Sequence, residues 1–215
     1  PLGILTALWL TEIAPPRVSQ WIKPAIELLS AIPSVVIGFL GITLLTPLMA
    51  GLSGRPNGLN AVSGSVLLAI MALPTIISMT EDALRSVPSA LREASLALGA
   101  SRWETMTRII LPAARSGVFA AIMLGLGRAI GETMTVLMIT GNTPVIPGSI
   151  FDPVRTLTAT IAIELGEVPV GSEHFHALFA VGLALFAITF FVNLAADLVM
   201  RRQTRMLTPS KEKQS

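Results

Sequence analysis

Four stretches of this chain, residues 22–50, 62–80, 117–140 and 177–200, are each apolar over the roughly 20 residues that a helix needs to cross a bilayer. A fifth, residues 1–13, is shorter. It is expected to be the end of a truncated span, because the chain begins at Pro1 within it, with neither an initiator Met nor the charged n-region of a signal peptide. The composition agrees with a membrane protein: 52% of residues are hydrophobic and 13% charged, against about 25% charged in ordinary soluble domains. The stretch 22–50 contains Pro24, Pro33 and Pro47, so it is expected to be kinked or broken, which neighbouring helices can tolerate by satisfying the freed carbonyls.

Threading the chain back and forth through these spans places residues 14–21, 81–116 and 201–215 on one side. That side, with Lys23 at its edge, holds twelve of the fifteen Lys and Arg residues; Arg55 and Arg155 lie opposite and Arg128 lies within a span. An excess of Lys and Arg marks the cytoplasmic side, so this distribution predicts a cytoplasmic C-terminus. The net charge of +2 then expresses membrane orientation, and no nucleic-acid partner is expected. The outer segment 141–176 carries Asp152, Glu164, Glu167 and Glu173 among Pro and Gly, and predicts an irregular loop with a short helix. The absence of cysteine excludes disulfides and thiolate chemistry. His174 and His176 alternate as metal ligands can, without an evident third ligand, and no metal site or cofactor is expected.

The segment 81–116 is too polar to span, yet strongly patterned. Pro88 suits the first turn of a helix over about residues 89–98. Gly99 supplies a turn, and Ser101 with Glu104 forms a Ser-x-x-Glu capping box that starts a second helix, which Pro112 ends or kinks. The run Glu93-Ala94-Ser95, then Gly99, then nine residues, then Ile109-x-Leu111-Pro112 resembles the EAA loop of ABC importer permeases, departing from it only in Ser95. Ala94 and Ser95 allow close backbone approach. The resemblance implies an all-α membrane protein, a polytopic helical bundle of the type I, MetI-like class with a cytoplasmic coupling helix. It assigns Glu93, Ala94, Ser95 and Gly99 to contact with an ATPase. Residues 1–205 would then form the transmembrane permease domain and residues 206–215 a polar cytoplasmic tail.

Arg128 and Glu132 stand at i and i+4 in an otherwise apolar stretch, which puts them on one face of a continuous helix. Charges at that depth usually pair, face the bundle interior and mark a pathway. Gly127 and Gly131 form Gly-x-x-x-Gly, which lets another helix approach closely. The segment Gly127-Arg128-Ala129-Ile130-Gly131-Glu132-Thr133-Met134 resembles the phosphate-specific transport (Pst) permeases, and Met134 after Gly-Glu-Thr fits their C-type subunit better than the A-type. Leu10-Thr11-Glu12 and residues 31–39 share this resemblance. It implies that Arg128 and Glu132 belong to a substrate pathway for inorganic phosphate, with Glu132 holding the guanidinium in place.

No Gly-x-x-x-x-Gly-Lys-Ser/Thr loop occurs, so the chain is expected to be a transporter subunit and no enzyme, with ATP hydrolysed elsewhere. The resemblance implies a cytoplasmic ATPase dimer (PstB-like), a second permease subunit (PstA-like) and an extracytoplasmic phosphate-binding protein (PstS-like), in a bacterial or archaeal plasma membrane. The alternatives are a permease for another oxyanion or small solute, and a membrane scaffold with no transport role.

Overall fold

The computed structural model describes residues 1–207. The expected polar tail lies outside the described residues from position 208, and with it Lys211 and Lys213. Among the described residues every regular element is helical, apart from an isolated bridge between Gly141 and Val154. The helices sort into two compact units. The first comprises Pro1–Ser30, Leu73–Leu126 and the described residues from Val192; the second comprises Ala31–Ala72 and Gly127–Phe191.

The stretch 22–50 is broken, as its prolines lead one to expect, into the end of one helix and most of another. α1 (Leu2–Ile13) is followed by α2 (Pro16–Ala31), and α3 runs over Ser34–Ser53. The break falls at Pro33, whose ψ of 138° is extended. A proline has no N–H to give a helix, and its ring keeps the preceding residue out of the helical region. Pro24, by contrast, sits inside α2. The helix of membrane length is therefore α3, whereas α2 carries Arg17, Lys23 and Glu27 and has no buried residue. α4 (Ala61–Arg85) runs five residues beyond the expected end at residue 80, and α10 (Glu173–Leu207) exceeds the stretch 177–200 at both ends.

Between these lie α5 (Ser89–Ala97), α6 (Arg102–Ala113), α7 (Arg115–Gly131), α8 (Met134–Ile139) and α9 (Leu157–Glu164). The stretch 117–140 is thus also broken, because α7 stops at Gly131 and α8 begins at Met134. α3, α4 and the segment Glu173–Leu198 of α10 are long and apolar enough to cross a membrane. α6 and α7, bent by 71° at their junction, make a fourth such segment if taken together. Phe179, Phe186, Phe190 and Phe191 of α10 are exposed on the chain alone. That is ordinary for a helix whose solvent is lipid or a partner, since such a helix satisfies its own backbone.

In the first unit Ala7, Leu8 and Leu10 of α1 pack with Ile77 and Leu84 of α4, Met106 and Ile110 of α6, and Val118 of α7. Leu84 and Ile110 are fully buried. At about 25 cal/mol per Å² of apolar surface, each such side chain contributes about 1.5–3 kcal/mol, so this cluster fixes the frame that carries the 86–114 hairpin. In the second unit Ile37 of α3, Leu67 and Met71 of α4 and Ile139 of α8 form a smaller cluster. Thr135 closes it, donating from Oγ1 to the Ser34 carbonyl at 3.0 Å. The segment 141–156 is irregular, as its Pro and Gly content predicts, and Thr156 caps α9 by accepting from the Ala159 N–H at 3.2 Å.

Candidate functional site

α5 and α6 form a hairpin whose turn is defined by local chemistry. Gly99 follows α5 at φ +84°, a left-handed conformation that glycine adopts without the Cβ penalty. Its N–H donates to the Leu96 carbonyl at 3.0 Å, while the Ala100 N–H donates to the Ser95 carbonyl at 3.2 Å. These are the two closing bonds of a Schellman motif. Ser101 follows directly, and its capping box is complete: the Glu104 N–H donates to Ser101 Oγ at 3.2 Å, and Ser101 N–H donates to the Glu104 carboxylate at 3.0 Å. The bond from the Ser101 N–H holds the Glu104 carboxyl below the usual carboxylate range, with the Ser101 hydroxyl adding to the effect.

The two faces of α5 differ. Glu93, Ala94 and Gly99 are exposed, together with Leu91 and Leu98. Ser95 is buried, and its Oγ lies 2.9 Å from Oγ1 of buried Thr105 on α6. Ser95 therefore does more than replace a small alanine, because its hydroxyl fastens the two helices of the hairpin. Arg92, three residues earlier on the same face, reaches Glu12 of α1 at 2.5 Å. The hairpin thus holds Ser95 inside and presents Glu93, Ala94 and Gly99 outward.

At the other predicted site the helix ends between the two residues. Arg128 is exposed in the last turn of α7, but Glu132 lies past its end and is half-buried. Glu132 accepts from the Thr135 N–H at 3.2 Å, satisfying an amide in the first turn of α8, and its own carbonyl accepts from Thr158 Oγ1 at 3.0 Å. A carboxylate there is favourable both as a hydrogen-bond acceptor and toward the positive end of the helix. At Gly127 and Gly131 an added Cβ would meet nothing within 4 Å, so among the described residues no helix approaches closely at Gly-x-x-x-Gly.

Several polar contacts join residues far apart in sequence. Glu81, at the end of α4 and 1% exposed, is held between Arg85 Nε at 2.8 Å and Lys23 Nζ at 3.4 Å. Its i,i+4 spacing from Arg85 was visible in the sequence; Lys23 was not a foreseeable partner. In the second unit Asp152 pairs with Arg55 at 2.8 Å, and Glu164 is held by Arg155 and by His174 Nε2, the latter at 2.8 Å. Among the described residues no three His, Cys, Asp or Glu side chains are grouped to hold a metal ion.

The family model described as binding-protein-dependent transport system inner membrane component matches residues 1–205. The probable ABC transporter permease protein YqgH of Bacillus subtilis (strain 168) is 43% identical over 94% of this chain and 66% of its own length. The phosphate transport system permease protein PstC of Mesorhizobium japonicum is 38% identical over 94% and 67%, respectively. PstC of Haemophilus influenzae is 36% identical over 94% and 70%. The chain thus spans about two thirds of the length of these relatives. Among solved structures, the fold resembles a chain of the MetNI methionine ABC transporter in an inward-facing conformation, with TM-score 0.73 at 20% identity over 94% of this chain and 86% of that one. It also resembles a chain of a bacterial alginate ABC transporter, with TM-score 0.66 at 17% identity over 94% and 72%.

Proposed function

Because this chain belongs to the family of binding-protein-dependent transport system inner membrane components, we propose that it is a permease subunit forming part of the membrane pathway for inorganic phosphate, with import driven by ATP hydrolysis on a partner chain. The observation that carries the substrate is the match to phosphate transport permeases at 36–38% identity over 94% of the chain. Members of this family are multi-pass inner membrane proteins, which accords with helices of membrane length. The positive-inside distribution supports a cytoplasmic C-terminus.

In this reading the outward face of α5, with Glu93, Ala94 and Gly99, meets a cytoplasmic ATPase dimer (PstB-like), and Ser95 keeps that face rigid. A second permease subunit (PstA-like) completes the pathway, and an extracytoplasmic phosphate-binding protein (PstS-like) delivers the anion. Arg128 lowers the barrier for phosphate: its guanidinium offers charge-assisted donors, and an exposed arginine in an apolar helix has reason to face a polar pathway. Glu132 holds the guanidinium in place, while its carboxylate also accepts from the Thr135 N–H at the break that ends the helix beside Arg128.

The test is ATP hydrolysis by the reconstituted four-component transporter with phosphate, sulfate or molybdate on the binding-protein side. Stimulation by phosphate alone supports the assignment, and stimulation by another anion keeps the permease and removes phosphate. Arg128→Gln should lower uptake while the complex still assembles, and normal uptake by that variant removes Arg128 from the pathway.

A further inference from the structure

We propose that the Glu12–Arg92 ion pair is the strut through which movement of the coupling helix α5 reaches α1, so that both residues are positioning residues for coupling ATP hydrolysis to transport; this rests on the reading of α5 as the ATPase contact. α5 touches the rest of its unit through its inner face. Ser95 binds it to α6, the other half of the same hairpin. Arg92 is the polar link from α5 to a different part of the unit: its Nη2 donates to Glu12 Oε1 at 2.5 Å across 80 residues of sequence. The pair is sheltered, the two side chains being 33% and 14% exposed. Arg92 Nε is shut from solvent and has no hydrogen-bond partner, so the carboxylate is what compensates this guanidinium.

The receiving end is suited to transmit displacement. Glu12 lies in a π-helical turn, Trp9–Ile13, which continues directly from Leu2–Leu8. In the residues just before it, Ala7, Leu8 and Leu10 are packed into the core of the unit with Met106 and Ile110. A close-packed interior transmits strain rather than absorbing it. A push on the outward face of α5 therefore reaches the core by two routes, through the α6 backbone and through the Arg92–Glu12 pair. The first reaches α1 through the apolar packing of Met106 and Ile110, the second through a directed ion pair on Glu12. Neither Glu12 nor Arg92 stands on the outward face with Glu93 and Ala94, so their removal leaves the ATPase contact itself in place.

The experiment uses the reconstituted transporter in vesicles and reads phosphate taken up per ATP hydrolysed, with co-purification of the ATPase and thermal unfolding as controls. Glu12→Gln and Arg92→Gln are expected to lower uptake per ATP at least about fivefold, the low end of coupling between linked sites, while the ATPase still co-purifies. The exchanged pair, Glu12→Arg with Arg92→Glu, is expected to recover most of the loss. Uptake per ATP at the original level in both single variants overturns the strut, as does failure of the exchange in a complex that assembles and melts normally. Should the neutral variants not assemble, Glu12→Asp keeps the charge and shortens the arm, and an unchanged ratio in that variant overturns it equally. Glu93→Ala, made in parallel, separates the two readings. If it uncouples while the Glu12 and Arg92 variants do not, the strut alone fails; if it leaves ATPase binding and coupling intact, the role of α5 fails.

Discussion

Glu81 offers the sharpest energetic test of how the first unit is held together. Its carboxylate is 1% exposed and lies between Arg85 and Lys23, at 2.8 and 3.4 Å. Removing one cation leaves the other in place, and Arg85 and Lys23 are themselves 55% and 36% exposed, so Arg85→Ala or Lys23→Ala alone should cost about 1–3 kcal/mol. Removing both leaves a buried charge without compensation, for which about 3–5 kcal/mol is typical. At about 2–4 °C per kcal/mol for a chain of this size, the double variant should unfold roughly 10 °C lower. Adding Glu81→Gln removes the charge that has become the liability, so the triple variant should be more stable than the double. The assay is tryptophan-fluorescence melting of the subunit in lipid nanodiscs, arranged as a mutant cycle. A triple variant no more stable than the double would refute the reasoning, because the cost would then not arise from a stranded carboxylate.

Three further outcomes follow from local geometry. A Cβ added at Gly58 would lie 2.0 Å from the Thr46 carbonyl oxygen, a backbone atom that cannot rotate away, so Gly58→Ala should destabilise by at least about 2 kcal/mol; Gly51→Ala, whose Cβ would meet nothing within 4 Å, should melt within about 0.5 kcal/mol of the original. Ser95→Ala leaves the buried Thr105 hydroxyl without its partner and should cost about 1–3 kcal/mol, most of which returns when Thr105→Val removes the stranded group, as read by melting of the two variants. The hydrogen bond from His174 and the charge of Arg155 hold the Glu164 carboxyl below its usual range against the opposing effect of burial. Its contribution is therefore present above the ordinary carboxylate range and is lost as pH falls through the lowered value. Glu164→Gln should flatten the acid limb of stability against pH, and an unchanged limb removes this contact from the balance.

What could be read from the sequence divides by the range of the interaction responsible. The hairpin was legible because its signals are local: Pro88 opens α5, Gly99 closes it, and Ser101 with Glu104 opens α6, each acting within a few residues. The apolar stretches were legible for the same reason. The break at Glu132–Thr133 was hidden because no proline marks it and Gly131 reads equally as half of a Gly-x-x-x-Gly packing pair; it is stabilised by Thr158, 26 residues away, which donates to the Glu132 carbonyl. The three prolines of the stretch 22–50 carried equal weight in sequence, yet only Pro33 interrupts the helix while Pro24 lies within one. Lys23 meets Glu81 across 58 residues and Arg92 meets Glu12 across 80. No periodicity on one segment reports such pairs, because each is decided by how the helices pack.

Three prolines follow turns of one repeated shape. Three π-helical turns, Trp9–Ile13, Gly41–Leu45 and Met106–Ile110, end two residues before Pro15, Pro47 and Pro112 respectively. In each, the residue just before the proline donates its N–H five residues back: Ala14 to Trp9, Thr46 to Gly41 and Leu111 to Met106. Pro47 and Pro112 lie within helices, where a proline ring clashes with the carbonyl four residues earlier and widening the preceding turn by one residue moves that carbonyl aside; at Pro15 the helix has already ended, Ala14 being extended. Each turn also holds a threonine, Thr11, Thr43 or Thr107, whose hydroxyl donates to a carbonyl of the preceding turn, a bond that favours bending. Pro112 closes the motif that begins at Glu93, so its π-turn sets the rotation at which α5 and α6 stand on α7. Pro112→Ala removes the clash and should let the turn relax to α-helix, rotating the hairpin by about 100°, the angle of one residue. Because the chain has no cysteine, spin labels on cysteines introduced at Ser89 and Ser116 would report that rotation as a change in their separation, and uptake per ATP should fall with it. An unchanged label separation would show that the π-turn is held by packing around Met106 and Ile110 and owes nothing to the proline.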